Sequence, residues 1–454
     1  MHTRLSLRLW PIAVGAALLT LLTPAQSVRG QVSRPITLAE ALTLAAQHSH
    51  VLRAAAFEVT IAKAQLAQAE ASGRGTLTLN ASYTRVNERA GSTIEIPPIP
   101  GISPTPITIT LPPPDPNVYS AGLTYQIPLY TGGRNEAQIA LARANLRGAE
   151  AALERAKQQV IFEVRAAYYQ VLLAQAGIEA AQRMLTAAEE NLRVARARVA
   201  AGASPRFDEI QAEVNLANAR ASLIRARNAQ GLAMQGLSAV LAQPLDSLWT
   251  PRETMSVVVI RSDLAGLVRR ALEGRPELAE VQARIAAARA AIDLVRSGTR
   301  PVVVLSGGPS YGNVAGAGGS AAATTGWSVT LAATLAVFDG NLTAERIREA
   351  EARLEQLKVT EAQVRQGIEL DVRRAWLNHA SAAEELATAD KTIEQAREGL
   401  RIANVRFAAG VSTNLEVVQA QAALAQAEAN KIQALFNVNL ARAQLERAVG
   451  GTVE

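Results

Sequence analysis

The 454-residue chain has no cysteine and only four histidines. The first absence excludes disulfides, thiolate metal sites, cysteine nucleophiles and the lipid-bearing cysteine of bacterial lipoproteins. The second leaves almost no imidazole chemistry. Aromatic residues make up 4% of the chain while apolar residues make up 49%, so packing must rely on Ala, Leu and Val instead of rings. Long apolar runs are missing after the N-terminal segment. Stretches such as Ser256–Ile260 and Val302–Leu305 fall far short of the ~20 residues that a membrane-crossing helix needs. If the chain crosses a bilayer, it does so as strands.

Arg4 and Arg8 precede the apolar stretch Leu9–Leu22 and the small-residue site Thr23-Pro24-Ala25. Residues 1–25 read as a secretory signal, not an anchor. The formal net charge of +6 falls to +4 without those two arginines. So mild and dispersed an excess argues against a nucleic acid partner.

The chain matches itself. Ile127-Pro-Leu-Tyr-Thr-Gly-Gly aligns with Leu335-Ala-Val-Phe-Asp-Gly-Asn at an offset of 208 that persists without gaps, pairing Tyr168 with Trp376 and Asp208 with Glu416. Upstream, Leu38, Leu52 and Arg74 match Leu264, Leu278 and Arg300 at an offset of 226. The change of register comes from an insertion in the first half, for which Pro97–Pro116 is the candidate. A duplication this long is too large for a solenoid unit and predicts two similar half-structures, 26–254 and 255–454.

Each half reads as helix, strand, loop, strand, very long helix, turn and return helix. The first helices are expected over Thr37–Ser72 and Asp263–Ser297, and the long ones over 133–201 and 340–409. At 1.5 Å per residue each long helix would reach ~100 Å. Gly202 and Gly410 stop them, and Ser204-Pro205 and Ser412 read as N-cap signals for the return helices. In the last helix Leu415, Val418, Ala422, Ala425, Ala429, Ile432 and Phe436 form one 3-4 seam. A second seam through Val417, Ala420, Leu424 and Ala427 lies on nearly the opposite side. Such a helix needs a neighbour on each side, as in a tube of helices.

Four segments alternate with period two, at about 76–86, 119–129, 302–311 and 326–338. Tyr119, Ala121, Leu123, Tyr125 and Ile127 face away from Ser120, Gly122, Thr124 and Gln126. Ten residues with one apolar face is the pattern of an outer-membrane barrel strand; a soluble sheet packed on helices is the alternative. Tyr83, Tyr119, Tyr130, Tyr311, Trp327 and Phe338 sit at or near segment ends, where an aromatic girdle belongs. Four strands cannot close against lipid, so a barrel of this kind must be shared between chains.

These features resemble the TolC-like outer membrane efflux protein family over about Ile36–Gly450. The resemblance rests on the duplication, the four strands, Pro276-Glu277-Leu278, Phe338-Asp339-Gly340 and Arg406-Phe407-x-x-Gly410-x-Ser412 leading to Glu416. It implies an α+β membrane protein, a homotrimer with a long α-helical tunnel (α-barrel) in the periplasm. A β-barrel built from four strands per chain, 12 in all, would stand in outer membrane lipid. It also implies a passive exit duct for efflux or type I secretion, working with a periplasmic adaptor (membrane fusion) protein and an inner-membrane transporter, without cofactor, metal or catalysis.

The helix-turn-helix tips, with Arg198, Gly202, Arg406, Phe407, Gly410 and Ser412, are then the expected adaptor contacts. Glu416 with Gln419, and Asp208 with Gln211, lie three apart just after each turn and share a helical face. The resemblance makes them the lining of a pore aperture, where repeated carboxylates would favour cations. An acid early in a helix also complements the helix dipole by itself. Where the family often has a second acid this chain has Gln419, and Ser412 replaces a basic residue, for which Arg206 can substitute. His48 and His50, two apart, do not share a face and make no metal pair; His379 stands alone. A periplasmic coiled-coil adaptor or structural spacer is the competing class, and the four strands count against it.

Overall fold

The computed structural model describes residues 34–87, 91–111, 116–257, 263–313 and 323–453. The expected signal over 1–25 lies outside them, as do parts of both loops between strands. β1 (Arg34–Ile36) leads into α1 (Leu38–His48) and α2 (His50–Ala71). β2 (Thr76–Arg85), β3 (Ser92–Ile96), β4 (Ile107–Leu111) and β5 (Asn117–Tyr130) precede α3 (Arg134–Ala200), α4 (Arg206–Val240) and β6 (Trp249–Pro251). The remaining elements are α5 (Leu264–Gly274), α6 (Pro276–Arg296), β7 (Val302–Asn313), β8 (Ala323–Thr334), α7 (Leu342–Ala408) and α8 (Asn414–Val449).

Thr37 and Glu40 start α1 with a reciprocal capping box: Thr37 N–H donates to Glu40 Oε2 at 2.8 Å and Glu40 N–H to Thr37 Oγ1 at 3.2 Å. The continuous first helices expected from periodicity are each broken. Ser49 (ψ 123°) separates α1 from α2, and Arg275 (ψ 128°) separates α5 from α6. Pro276 explains the second break, because the residue before proline is pushed to extended backbone. Ser49 reaches the same result by capping α2, accepting from Leu52 N–H at 3.4 Å.

Both long helices hold 67 residues. They start from left-handed residues, Gly133 (φ 88°) and Asn341 (φ 69°); asparagine is among the few side chains that tolerate this region. The 22-residue α2 and 35-residue α4 line one side of α3, α6 and α8 line the other, and α7 lies beyond α6 and α8. The layer is thus four columns wide.

A belt crosses the columns near mid-height. β1 and β6 pair in parallel, with Ile36 opposite Pro251. Beneath them Val164, Tyr168, Val171, Leu237 and Leu241 are fully or almost fully buried, each contributing about 1.5–3 kcal/mol by leaving water. Tyr168 Oη donates to the Ile36 carbonyl at 3.2 Å. A second cluster around Leu267, Val372 and Leu445 ties α5 to α7 and α8.

The sheet runs β2-β5-β7-β8, every pair antiparallel. Its two faces are chemically distinct. Leu77, Tyr125, Gly307 and Val329 share one cross-strand row, whereas Thr76, Gln126, Ser306 and Thr330 share the next. Gly308 permits the closest approach of β5 and β7, since a Cβ there would collide with the Leu123 carbonyl. β8 ends at Thr334, short of the expected 338, so Leu335, Val337 and Phe338 follow the strand as exposed residues. The loop expected between the first two strands holds the β3–β4 hairpin, with Ile94 opposite Ile109 and Ile96 opposite Ile107, and β4 falls within the Pro-rich insertion. β7 runs to Asn313, two residues past the expected strand end at 311.

Candidate channel aperture and membrane band

The two helix hairpins close with the same motif. Ala203 N–H donates to Arg198 O at 2.8 Å and Gly202 N–H to Val199 O at 3.0 Å; Val411 N–H donates to Arg406 O at 3.0 Å and Gly410 N–H to Phe407 O at 3.1 Å. These are Schellman closures, which require a left-handed residue after the helix; Gly202 (φ 67°) and Gly410 (φ 74°) supply it. The expected serine caps are not formed. Pro205 and Thr413 occupy the N-cap positions without a side-chain bond. Ser412 Oγ is buried and unpartnered, because the tight turn places it one residue too early.

Among the expected tip residues the structure joins two pairs. The Arg198 guanidinium lies over the Phe407 ring, 4.1 Å from its centroid, linking the first hairpin to the second. Arg406 Nη2 stands 3.8 Å from Glu416 Oε2, across the second turn. Phe407 is buried with Ala403 and Val417. Asp208, Gln211 and Glu416 are half-buried and Gln419 is exposed; among the described residues no hydrogen bond or ion pair joins Asp208 to Glu416, so one chain does not gather the four into a cluster.

Other tip contacts escaped the sequence reading. Arg196 bridges Glu209 at 3.2 Å and Glu213 at 2.7 Å, fastening α3 to α4. Glu428, only 15% exposed, faces Arg183 of α3 at 3.2 Å and Arg397 of α7 at 3.9 Å. The partners are far apart in sequence, so no local spacing rule signals them. Asn414 is buried at 1% exposure with neither amide atom bonded.

At the other end, the aromatic residues fall into two groups. Tyr83 is the register partner of Tyr119, and the Tyr119 and Tyr311 rings lie 6.2 Å apart. Trp327, 80% exposed, sits opposite Pro309, one step inward. Tyr130 and Phe338 lie at the opposite end. Tyr119 and Tyr130 are eleven residues apart on β5, about 36 Å along the strand. At a barrel tilt near 40° that is about 28 Å of height, close to the ~25 Å apolar band of outer-membrane barrels. Between the two groups, Val329 and Leu331 of edge strand β8 are about two-thirds exposed.

Among the described residues no helix is long and apolar enough to cross a membrane, and no acidic or histidine cluster suits a metal. A narrow sheet with one apolar face, set on helices of 67 residues, defines the class of channels that join a membrane barrel to a helical tunnel. The sequence model described as outer membrane efflux protein matches residues 41–243 and 267–451, and the chain belongs to that family. It is 26% identical to protein CyaE of Bordetella pertussis over 309 residues, 67% of this chain and 64% of that protein, so the match spans less than two thirds of CyaE. It is 25% identical to the cobalt-zinc-cadmium resistance protein CzcC of Cupriavidus metallidurans over 419 residues, covering 92% and 90% of the two chains. The solved outer-membrane channel OprN shares its fold, with a TM-score of 0.74 at 23% identity over 91% of this chain and 90% of that one.

Proposed function

We propose that the chain is one protomer of a homotrimeric exit duct. It would carry solutes across the outer membrane from an inner-membrane transporter and a periplasmic adaptor, without catalysis of its own. The observation that carries the reading is the sheet: β2 and β8 are its edges, and its apolar face is exposed along β8. Unpaired edges cannot stand in hydrocarbon, so β8 of one copy pairs with β2 of the next until the barrel closes. Three copies of four strands give twelve.

The helical layer supports the same assembly. Phe207, Ile210, Val214 and Ile224 are exposed on α4, the first column, and Val359, Leu370 and Leu377 on α7, the last. Joining last to first covers both. Each chain then contributes two structural repeats, 26–254 and 255–454, after export on a signal over 1–25; with no cysteine it is not a lipoprotein. Glu416, Gln419, Asp208 and Gln211 line the aperture. Arg198, Gly202, Arg406, Phe407, Gly410 and Ser412 form the adaptor-facing tips, and the six aromatic residues form the girdle.

Fractionation followed by planar-bilayer recording tests this. A heat-modifiable trimer in the outer membrane that conducts ions is expected. A soluble periplasmic monomer without conductance contradicts the reading and favours a spacer.

A further inference from the structure

Where the sheet meets the helices, a groove of about 580 Å³ is lined by Arg134, Arg300 and Arg346. No acidic residue lines it, while Thr131, Ser297, Thr334 and Thr343 add hydroxyl groups. Arg300 Nη1 donates to the Gly132 carbonyl at 3.2 Å, and among the described residues none of the three arginines has a carboxylate partner. Farther along α7, Arg353, Arg365 and Arg373 each pair with a glutamate one turn away, Glu349, Glu361 and Glu369, whereas Arg346 does not. Arg134 opens α3 and Arg346 lies in the second turn of α7. A cation near a helix start opposes the helix dipole, so helix stability does not account for either.

The strands show which face the groove belongs to. Val302 and Thr334 line it and are register partners. Val302 is four residues from Ser306, and Thr334 four from Thr330, so both share the parity of the polar row. The groove therefore opens on the face away from Val329 and Leu331. The polar positions in Thr76–Arg85, Asn117–Tyr130 and Ala323–Thr334, such as Thr78, Asn80, Ser82, Ser120, Thr124 and Ser328, are uncharged. Among the described residues, the four strands place no acidic side chain in that row.

We propose that this groove binds an anionic group, a carboxylate, phosphate or sulfate carried by a solute in transit, and that it forms an electropositive collar around the lumen. This rests on the exit-duct reading, which makes the polar face lumenal. Guanidinium groups with free donors are suited to such oxyanions. A phospholipid headgroup carries the same chemistry, but the parity of Val302 and Thr334 turns the groove away from lipid.

The test uses the full-length protein and inorganic pyrophosphate as probe. Calorimetry at low ionic strength should show saturable binding, weakened at least tenfold in R134Q/R300Q/R346Q and retained in the corresponding triple lysine variant. If the triple glutamine variant fails to form the heat-modifiable oligomer, R134Q/R346Q leaves the Arg300–Gly132 bond intact and serves instead. Binding absent in the natural protein, or unchanged in the glutamine variants, overturns the site. In planar bilayers, pyrophosphate should reduce conductance of the natural channel and not of the glutamine variants. Conductance without binding sinks the collar and leaves the duct; binding without conductance sinks the duct. Binding should be equal in nanodiscs of phosphatidylcholine and of anionic phosphatidylglycerol. Loss in the anionic discs alone would assign the groove to lipid headgroups and overturn its lumenal placement.

Discussion

The Arg198 guanidinium rests 4.1 Å from the centroid of the Phe407 ring, so the C-terminal turns of α3 and α7 are held together by one cation–π contact. Such a contact stabilises by about 0.5–2 kcal/mol depending on desolvation, and Phe407 is 9% exposed. The two residues are 209 positions apart, and they join hairpins that otherwise meet mainly where α8 packs on α3. Replacing Arg198 by Ala should loosen the tips and raise mean single-channel conductance, while R198K keeps the cation and lies between. Identical conductance in all three proteins would show that the contact does not restrain the tip.

Glu416 and Arg406 make a longer pair at 3.8 Å, both about half-exposed; exposed pairs of this kind contribute at most about 1 kcal/mol to stability. Its consequence should therefore appear in permeation. E416Q is expected to move the reversal potential in a KCl gradient toward zero, and R406A, which frees the carboxylate, to move it toward the cation limit. Opposite or null shifts would remove Glu416 from the aperture.

Adjacent positions on β8 give a sharp test of which face meets lipid. Leu331 lies in the apolar row opposite Leu305, and Thr330 in the polar row opposite Ser306. Arg at a lipid-facing position near the bilayer midplane costs about 2–4 kcal/mol. L331R should reduce the heat-modifiable trimer in the outer membrane, whereas T330R should assemble normally. Equal yields of the two variants would contradict the orientation of the sheet.

The alternation that distinguishes Leu331 from Thr330 was visible in the sequence, because side chains on a strand reverse face at every residue. The lengths of α3 and α7 were visible too, since proline is absent from both stretches and Gly202 and Gly410 follow them, although Gly148, Gly177, Gly367 and Gly399 lie inside. Less was visible where short-range rules give no signal. β1 and β6 are three residues each and pair only because the belt brings them together. The break at Arg275 could have been read from Pro276, but Ser49 has no proline after it. Ser412 looked like a cap, yet the turn geometry gives the cap position to Thr413. At the tips, Arg198, Arg406, Phe407 and Glu416 were singled out singly; their pairing depends on how two hairpins lie side by side, which no spacing encodes.

Tyr168 predicts an alkaline limit. Burial pushes its hydroxyl up to about 12 from an ordinary value near 10. The protonated form is favoured in the folded state, so its contribution is complete below about pH 10 and is lost as pH rises toward about 12. That contribution is at most about 2.7 kcal/mol. Thermal unfolding measured between pH 8 and pH 12 should show a fall in Tm that is shallower in Y168F. That variant should also start about 1 kcal/mol lower, through loss of the bond to the Ile36 carbonyl. A parallel pH profile in the two proteins would rule out Tyr168 as the source.

The free edges of β2 and β8 have a kinetic consequence. In the proposed trimer a lone protomer would have nowhere in the bilayer to place its outermost backbone amides, so membrane insertion and subunit association would be one event. The rate of appearance in the membrane should then rise more steeply than linearly with the concentration of exported chains. At low expression the waiting subunits would accumulate in the aqueous compartment, exposed to proteases and dependent on whatever holds the apolar side of the sheet from its own kind.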